Sequence, residues 1–306
     1  MTFSQQTKQE ILKNIRASKS FFQKSFAYAI IGAGATFSLT KEGLCPRVSS
    51  TDVNLLQTLA DLVKKQYGWE TQIIQEQKNK KYKYVATFPQ EATEVFALLN
   101  DQVKFSKEFV FHPDSRSGFV KGLFAGFGSV SIPKHTLDLN SSDKSQSYHL
   151  EISLNNDEWK NDVEKIMLEI DEKFKVIQRK DSTVFYLKDA DSIGDFLVYL
   201  GATRSKLELE NVLIERSLRN TANRQTNCIS ANIDKALIAA NKQLEAIARL
   251  RKLEKFDLLS ADLQKVALLR EEYPEETLSG LAEIANLTKN CISKRMNKII
   301  SLANKG

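Results

Sequence analysis

Over the first 200 positions the apolar residues change period several times, and each change marks a new element. Ser4 to Ile15 reads as an amphipathic helix, and Ala27 to Ala35 is a helix of small and apolar residues. Strand-like Thr36–Thr40 and Pro46–Ser50 follow. From Val53 to Tyr67 the period returns to that of a helix, with Leu55, Leu56, Leu59, Leu62 and Val63 on one face. A strand pair, Glu70–Gln75 and Tyr82–Phe88, turns through the lysine-rich 78–81, and Glu91–Asn100 predicts a closing helix.

The same order then recurs. A second small-residue helix, Val120-Lys121-Gly122-Leu123-Phe124-Ala125-Gly126-Phe127-Gly128, precedes strands Ser129–Pro133 and Tyr148–Leu154. The spacing predicts a helix over Asp162–Phe174, strands over Lys175–Arg179 and Thr183–Leu187, and a helix over Ser192–Leu200. A period of roughly 95 residues is too long for a solenoid and suits a duplicated α+β half. The expected fold is therefore α+β, a twice-repeated α-β-β-α-β-β-α domain over residues 1–203, with repeats at about 21–100 and 118–202.

Strand signals stop after Leu207. A long helical tract runs through Ala231 to Lys252, so 204–256 is expected to be a helical connector and 257–306 a separate all-α module. Charge divides in the same place. Of the formal net charge of +6, residues 1–203 carry +1 and residues 204–306 carry +5. An anion-seeking surface therefore belongs to the C-terminal third.

Within that third, Leu263, Val266, Ala267, Leu268 and Leu269 form an apolar stripe that Pro274 closes. Thr277 is placed to cap a second helix, Leu278–Ala285, with Leu281, Ile284 and Ala285 inward. Asn286-Leu287 makes a short turn, and Thr288 caps a third helix with Ile292, Met296, Ile299 and Ile300 buried. Two short helices joined in this way form a helix-turn-helix at 276–303. Its outward residues are Lys289, Asn290, Ser293, Lys294, Arg295, Asn297 and Lys298. No acid occurs from Asn286 to Gly306, whereas seven acids and two bases lie between Asp257 and Glu283. Such a helix suits a major groove walled by phosphate, and double-stranded DNA is the expected partner. The plainer reading is a solvated basic helix end, favoured by the macrodipole.

Arg216, Arg219, Asn220, Asn223, Arg224 and Asn227 recur at spacings of three and four along the connector. They suit contact with DNA phosphate or docking of one domain on another, and the spacing leaves both readings open.

Other chemistry is poorly represented. Cys45, Cys228 and Cys291 lie far apart, and so do His112, His135 and His149, so neither a disulfide framework nor a metal site is indicated. His149, inside a strand, reads as a structural group. Gly32-Ala33-Gly34 lacks the third glycine of a dinucleotide fingerprint, which would fall at Phe37, and no P-loop occurs. The longest apolar stretch, Phe26–Leu39, falls short of the roughly 20 residues that cross a bilayer. A cytoplasmic, nucleoid-associated protein without cofactors is expected, with a monomer favoured and a protein partner conceivable on the repeat domain.

The paired small-residue helices resemble the LAGLIDADG signature of homing endonucleases, in which two such helices pack about a pseudo-twofold axis. Ala29, Ala33, Gly122 and Gly126 are small enough for that approach. In those nucleases the eighth residue of each motif is an acid that holds a divalent metal; here the positions are Gly34 and Phe127. The resemblance thus implies a kept fold and lost catalytic acids, with no other residue an obvious substitute. The segments Ser147-Tyr148-His149-Leu150-Glu151-Ile152, Leu207-Glu208-Leu209-Glu210-Asn211-Val212 and 219–228 resemble the WhiA family of bacterial regulators. That family joins a degenerate LAGLIDADG-like domain to a C-terminal helix-turn-helix. The resemblance implies a non-enzymatic DNA-binding protein of cell division and chromosome segregation, acting in some relatives as a transcription regulator. A metal-dependent endonuclease with residual activity and a protein-interaction scaffold are the alternatives. The chain departs from the family in having Ala35 where the first motif normally ends in glycine, and in a divergent N-terminal half.

Overall fold

The computed structural model describes residues 1–78, 81–96, 112–133, 147–155 and 159–305. They divide into two compact units, Met1–Arg216 and Ser217–Gly306. Helix α1 (Phe3–Arg16) opens the first unit behind a capping box in which Thr2 and Gln5 bond reciprocally. Helix α2 (Ser20–Gly34), strands β1 (Thr36–Thr40) and β2 (Gly43–Ser50), helix α3 (Val53–Tyr67), strands β3 (Gln72–Lys78) and β4 (Lys81–Thr87) and helix α4 (Glu91–Val95) complete the first repeat. The second repeat runs through α5 (Pro113–Phe127), β5 (Gly128–Ser131), β6 (His149–Leu154), α6 (Lys160–Ile170), β7 (Lys175–Arg179), β8 (Ser182–Leu187) and α7 (Ala190–Tyr199). The order matches the duplication expected from the periodicity. Residues 97–100 of the expected closing helix lie outside the described residues, as does His135.

Each repeat forms one four-stranded antiparallel sheet, and the two strand orders, β1-β2-β4-β3 and β5-β6-β8-β7, are the same permutation. Alternation along β6 sets the two faces of the second sheet. Leu150, Ile152 and Leu154 are buried while His149, Glu151 and Ser153 are partly open, so one face meets the helices and the other is left polar. The polar faces carry ion pairs between strands and, on β6, a histidine–carboxylate contact within one strand. Glu76 meets Arg47 at 2.6 Å and Lys83 at 3.6 Å on the first sheet. Glu151 meets His149 Nε2 at 3.0 Å and Arg179 at 3.4 Å on the second. His149 is thereby an internal partner of Glu151.

The core is built around α2 and α5, where Phe26, Ile30, Phe119 and Phe124 are essentially inaccessible. Their backbones approach closely at two glycines. A Cβ added to Gly122 would lie 2.5 Å from the Phe26 carbonyl oxygen and 2.8 Å from Ala29 Cβ. One added to Gly118 would run into Ser25 Oγ and lie 2.5 Å from the Phe22 carbonyl oxygen. Gly126 was expected to share this role but does not, because a Cβ there would sit 3.6 Å from Ile30 Cγ1, an ordinary contact. Ala33 is only partly buried. The seam is tightest at Gly118 and Gly122, nearer the start of α5 than the motif suggests.

Buried polar groups tie the loops to this core. Gln23, fully enclosed, donates from Nε2 to the carbonyls of Ile15, Arg16 and Ser18, satisfying the C-terminal end of α1. Its Oε1 accepts from Lys65 and Gln66. The Glu10 carboxylate accepts from the backbone N–H groups of Arg204 and Ser205 at 2.9 and 3.2 Å, anchoring the first turn of helix α8 (Thr203–Lys252). Among the described residues no helix is long and apolar enough to cross a membrane.

The second unit contains the remainder of α8, then α9 (Ala261–Glu272), α10 (Leu278–Ile284) and α11 (Lys289–Asn304). Its core draws Ala246, Ile247 and Leu250 from α8 and Phe256 from the turn after it, packing them with Val266, Leu281, Ile292, Met296 and Ile299. The end of α8 is therefore part of this core, ahead of the expected module start at Asp257.

Candidate nucleic-acid interface

Local chemistry sets the geometry of the three C-terminal helices. Thr277 Oγ1 accepts from Gly280 N at 3.1 Å at the start of α10. Thr288 Oγ1 accepts from Cys291 N at 3.3 Å at the start of α11. Between them, Asn286 takes φ +52°, and Leu287 N and Asn286 N donate to the carbonyls of Ala282 and Glu283. This is a Schellman closure with asparagine at the left-handed position, one of the few side chains that tolerate it. The turn predicted at Asn286-Leu287 is thus fixed by backbone hydrogen bonds.

A buried cation holds the other loop. Arg270, 1% exposed, donates through Nε to Gln243 Oε1 at 2.9 Å and through one terminal nitrogen to the carbonyls of Tyr273, Pro274 and Glu276. Burial lowers its pKa from the ordinary arginine value, and the nearby Glu276 pulls it back up. The guanidinium joins the end of α8 to the α9–α10 loop. Sequence reasoning missed this residue; its only signal was a lone arginine one position beyond an apolar stripe.

On α11, Ile292, Met296, Ile299 and Ala303 are buried, Ile300 is partly buried, and Lys289, Asn290, Lys294, Asn297 and Lys298 are exposed, with Thr288 exposed at the cap. Ser293 and Arg295 are intermediate. Arg295 is committed within the unit, its guanidinium 2.9 Å from Asp262 Oδ2 on α9. Two expected inward positions, Leu268 and Ile284, are instead 50% and 49% exposed. Leu281 and Ala282 supply the α10 core contacts.

The connector residues separate by environment. Arg216 lies over the Tyr148 ring, 5.3 Å from its centroid, inside the first unit. Arg219 is half-buried, whereas Asn220, Asn223, Arg224 and Asn227 are exposed, with Arg224 Nε donating to the Asn220 carbonyl at 3.2 Å.

Gly34 and Phe127, which the sequence resemblance aligns with the metal-binding acids of LAGLIDADG nucleases, lie against each other. The Phe127 ring fills the space beside Gly34, so these residues do not fit a divalent ion. Among the described residues no group of three or more His, Cys, Asp or Glu side chains is placed to hold a metal.

Comparison with known proteins places this architecture. The family model for the WhiA LAGLIDADG-like domain matches residues 116–219, and that for the WhiA C-terminal HTH domain matches residues 222–303. A protein of Enterococcus faecalis (strain ATCC 700802 / V583) named "Probable cell division protein WhiA" is 30% identical, with 100% of this chain and 98% of that protein covered. The chain belongs to the WhiA family. A WhiA of the same name from Clostridium botulinum (strain Hall) is 29% identical over 99% of this chain and 98% of its own. The crystal structure of full-length DUF199/WhiA from Thermatoga maritima superposes with a TM-score of 0.61 at 24% identity, covering 100% of this chain and 99% of that one. At that identity it shows the fold, and the fold is that of WhiA.

Proposed function

We propose that this WhiA-family chain is a non-enzymatic, DNA-binding regulator of cell division, acting through its C-terminal helix-turn-helix on transcription or chromosome segregation at the nucleoid. The observation that carries it is α11, a capped helix whose open face holds Lys289, Asn290, Lys294, Asn297 and Lys298 and no acid. Its N-terminal turn is ordered by the Thr288 cap and the Asn286 closure, and Thr288, Lys289 and Asn290 there are exposed, as a groove-reading helix requires. The cell-division role follows from the names of the E. faecalis and C. botulinum relatives. Asn223, Arg224 and Asn227 on α8, inside the match to the helix-turn-helix family model, are proposed as backbone contacts that set register without reading sequence. In the repeat domain, cleavage is replaced by scaffolding or partner contact.

The test is a gel-shift titration of the full chain against genomic fragments at two salt concentrations, beside a Lys289→Ala/Lys294→Ala/Lys298→Ala variant. Weaker binding and a shallower salt dependence in the variant are expected. Unchanged affinity would remove α11 from the interface. Chromatin capture with the intact protein then separates the two cellular roles, clustered sites favouring gene control and diffuse occupancy favouring segregation.

A further inference from the structure

Helix α8 has no packed side along its middle. Residues 220–235, sixteen in succession and more than four turns, are all exposed, whereas Leu209 and Val212 before them and Ala240, Ile247 and Leu250 after them are buried. A stretch open on every side keeps its helix by bridging packed ends or by side-chain pairs a turn apart, and otherwise is not stable. The pairs are absent. Its charged residues are Arg224, Asp234 and Lys235, and none has an opposite charge three or four places away. Propensity opposes the helix as well. Eleven of the sixteen are Asn, Asp, Ser, Thr, Cys or Ile, from the weaker part of the scale, and the short polar side chains among them compete for the backbone's own hydrogen bonds. Residues 243–251, by contrast, are Gln, Leu, Glu, Ala and Arg with a single Ile. Support for the middle therefore comes only from the packed turns at either end.

We infer that residues 220–235 are a conditional helix, which opens locally in the free protein while both ends of α8 stay packed, and closes when Asn220, Asn223, Arg224 and Asn227 meet the phosphates of a DNA duplex. The inference rests on the DNA-binding reading above and adds a folding step to it. Local opening follows from the missing support, since segments without packed side chains open far below the free energy of global unfolding. Closure needs an outside partner, because among the described residues nothing covers this segment. Its chemistry names the class. The four side chains share one face at spacings of three and four, all are exposed, and amide and guanidinium donors in such a row suit the oxygens of a duplex backbone. The entropy of ordering is then lost at the moment of binding. Apparent affinity is lowered by the fraction of the segment already helical, so the helix equilibrium tunes how tightly the chain holds DNA.

Hydrogen exchange read by mass spectrometry tests it on the full chain, free and with saturating double-stranded genomic fragments at low salt. In the free protein, amides of 220–235 should exchange at least about tenfold faster than those of 206–213 and 243–250. With DNA they should slow together with those of α11. Equal protection of the middle and the ends in the free protein would overturn the inference, as would DNA that protects α11 and leaves 220–235 unchanged. Protection of neither would overturn the closing step by removing the DNA-binding reading beneath it, and α11 tells the two failures apart. Two variants read the equilibrium directly. Thr221→Ala/Thr226→Ala/Asn232→Ala, all off the donor face, should raise the helical circular dichroism of the free chain and tighten DNA binding by up to about tenfold. Ala222→Gly should weaken binding by about fivefold. Neither variant touches α11, so unchanged affinity in both, or tighter binding with glycine, would overturn the coupling.

Discussion

The ring of Phe127 occupies the space that a side chain at Gly34 would need: a Cβ built on Gly34 lies 2.6 Å from Phe127 Cζ and 2.9 Å from Cε1. Both residues stand where the sequence resemblance implies acids in the LAGLIDADG nucleases, and their contact means that neither position can be changed without the other. With the ring in place, an acid at 34 has nowhere to go. Gly34→Asp should cost about 1–3 kcal/mol, the usual range for overpacking, and markedly less in a Phe127→Ala background. Urea denaturation of the four chains in this cycle measures the coupling. An equal cost in both backgrounds would show that the ring does not fill that space. Supercoiled plasmid with Mg²⁺ or Mn²⁺ should stay intact with the native chain and with Gly34→Asp.

Gly122 and Gly126 look alike in sequence and differ in the fold. Gly122 faces the Phe26 backbone, which cannot yield locally, so Gly122→Ala should destabilise by about 1–3 kcal/mol. Gly126 has room for a methyl group, and alanine is the better helix former. Gly126→Ala should therefore be neutral or stabilising by up to about 1 kcal/mol. Thermal unfolding of the two variants side by side decides this, and the opposite order would displace the seam toward the end of α5.

Arg270 holds the second unit by four hydrogen bonds from an almost inaccessible position. Arg270→Met keeps the side-chain stem but leaves Gln243 and three carbonyls without their donor. A loss of about 3 kcal/mol is expected, as when one partner of a buried charged network is removed. The check is a selectively earlier unfolding transition of the second unit, followed by hydrogen exchange on α9–α11. A cost comparable to that of an exposed arginine would show that water replaces those bonds.

Element order was legible because it depends on local periodicity, and the strands of each repeat fall close to where alternation placed them. Contacts made at a distance were less so. Four-residue spacing marks Gly118, Gly122 and Gly126 equally, but the point where α2 and α5 cross decides which of them touch backbone. Leu268 and Ile284 keep core spacing and stay exposed, since period shows a face and not whether a partner covers it. Arg270 was illegible for the same reason: its partners lie in a loop and on another helix. Caps and turns, which are local, were read correctly down to Thr277, Asn286 and Thr288.

Lys294 and Arg295 are neighbours in sequence with different commitments. Lys294 is exposed, whereas Arg295 is paired with Asp262 at 2.9 Å. If α11 lies in a groove, Lys294→Ala removes a phosphate charge and should lower the slope of log K against log salt by about 0.9, with little change in stability. Arg295→Ala should act chiefly on the fold, costing no more than about 1 kcal/mol as a surface-type pair. Asp262→Ala supplies the control. It breaks the same pair and removes a negative charge, so it should match the stability loss of Arg295→Ala while leaving DNA affinity unchanged or raised. If Arg295→Ala instead weakens binding as much as Lys294→Ala while Asp262→Ala strengthens it, the ion pair is a latch that competes with DNA for the guanidinium.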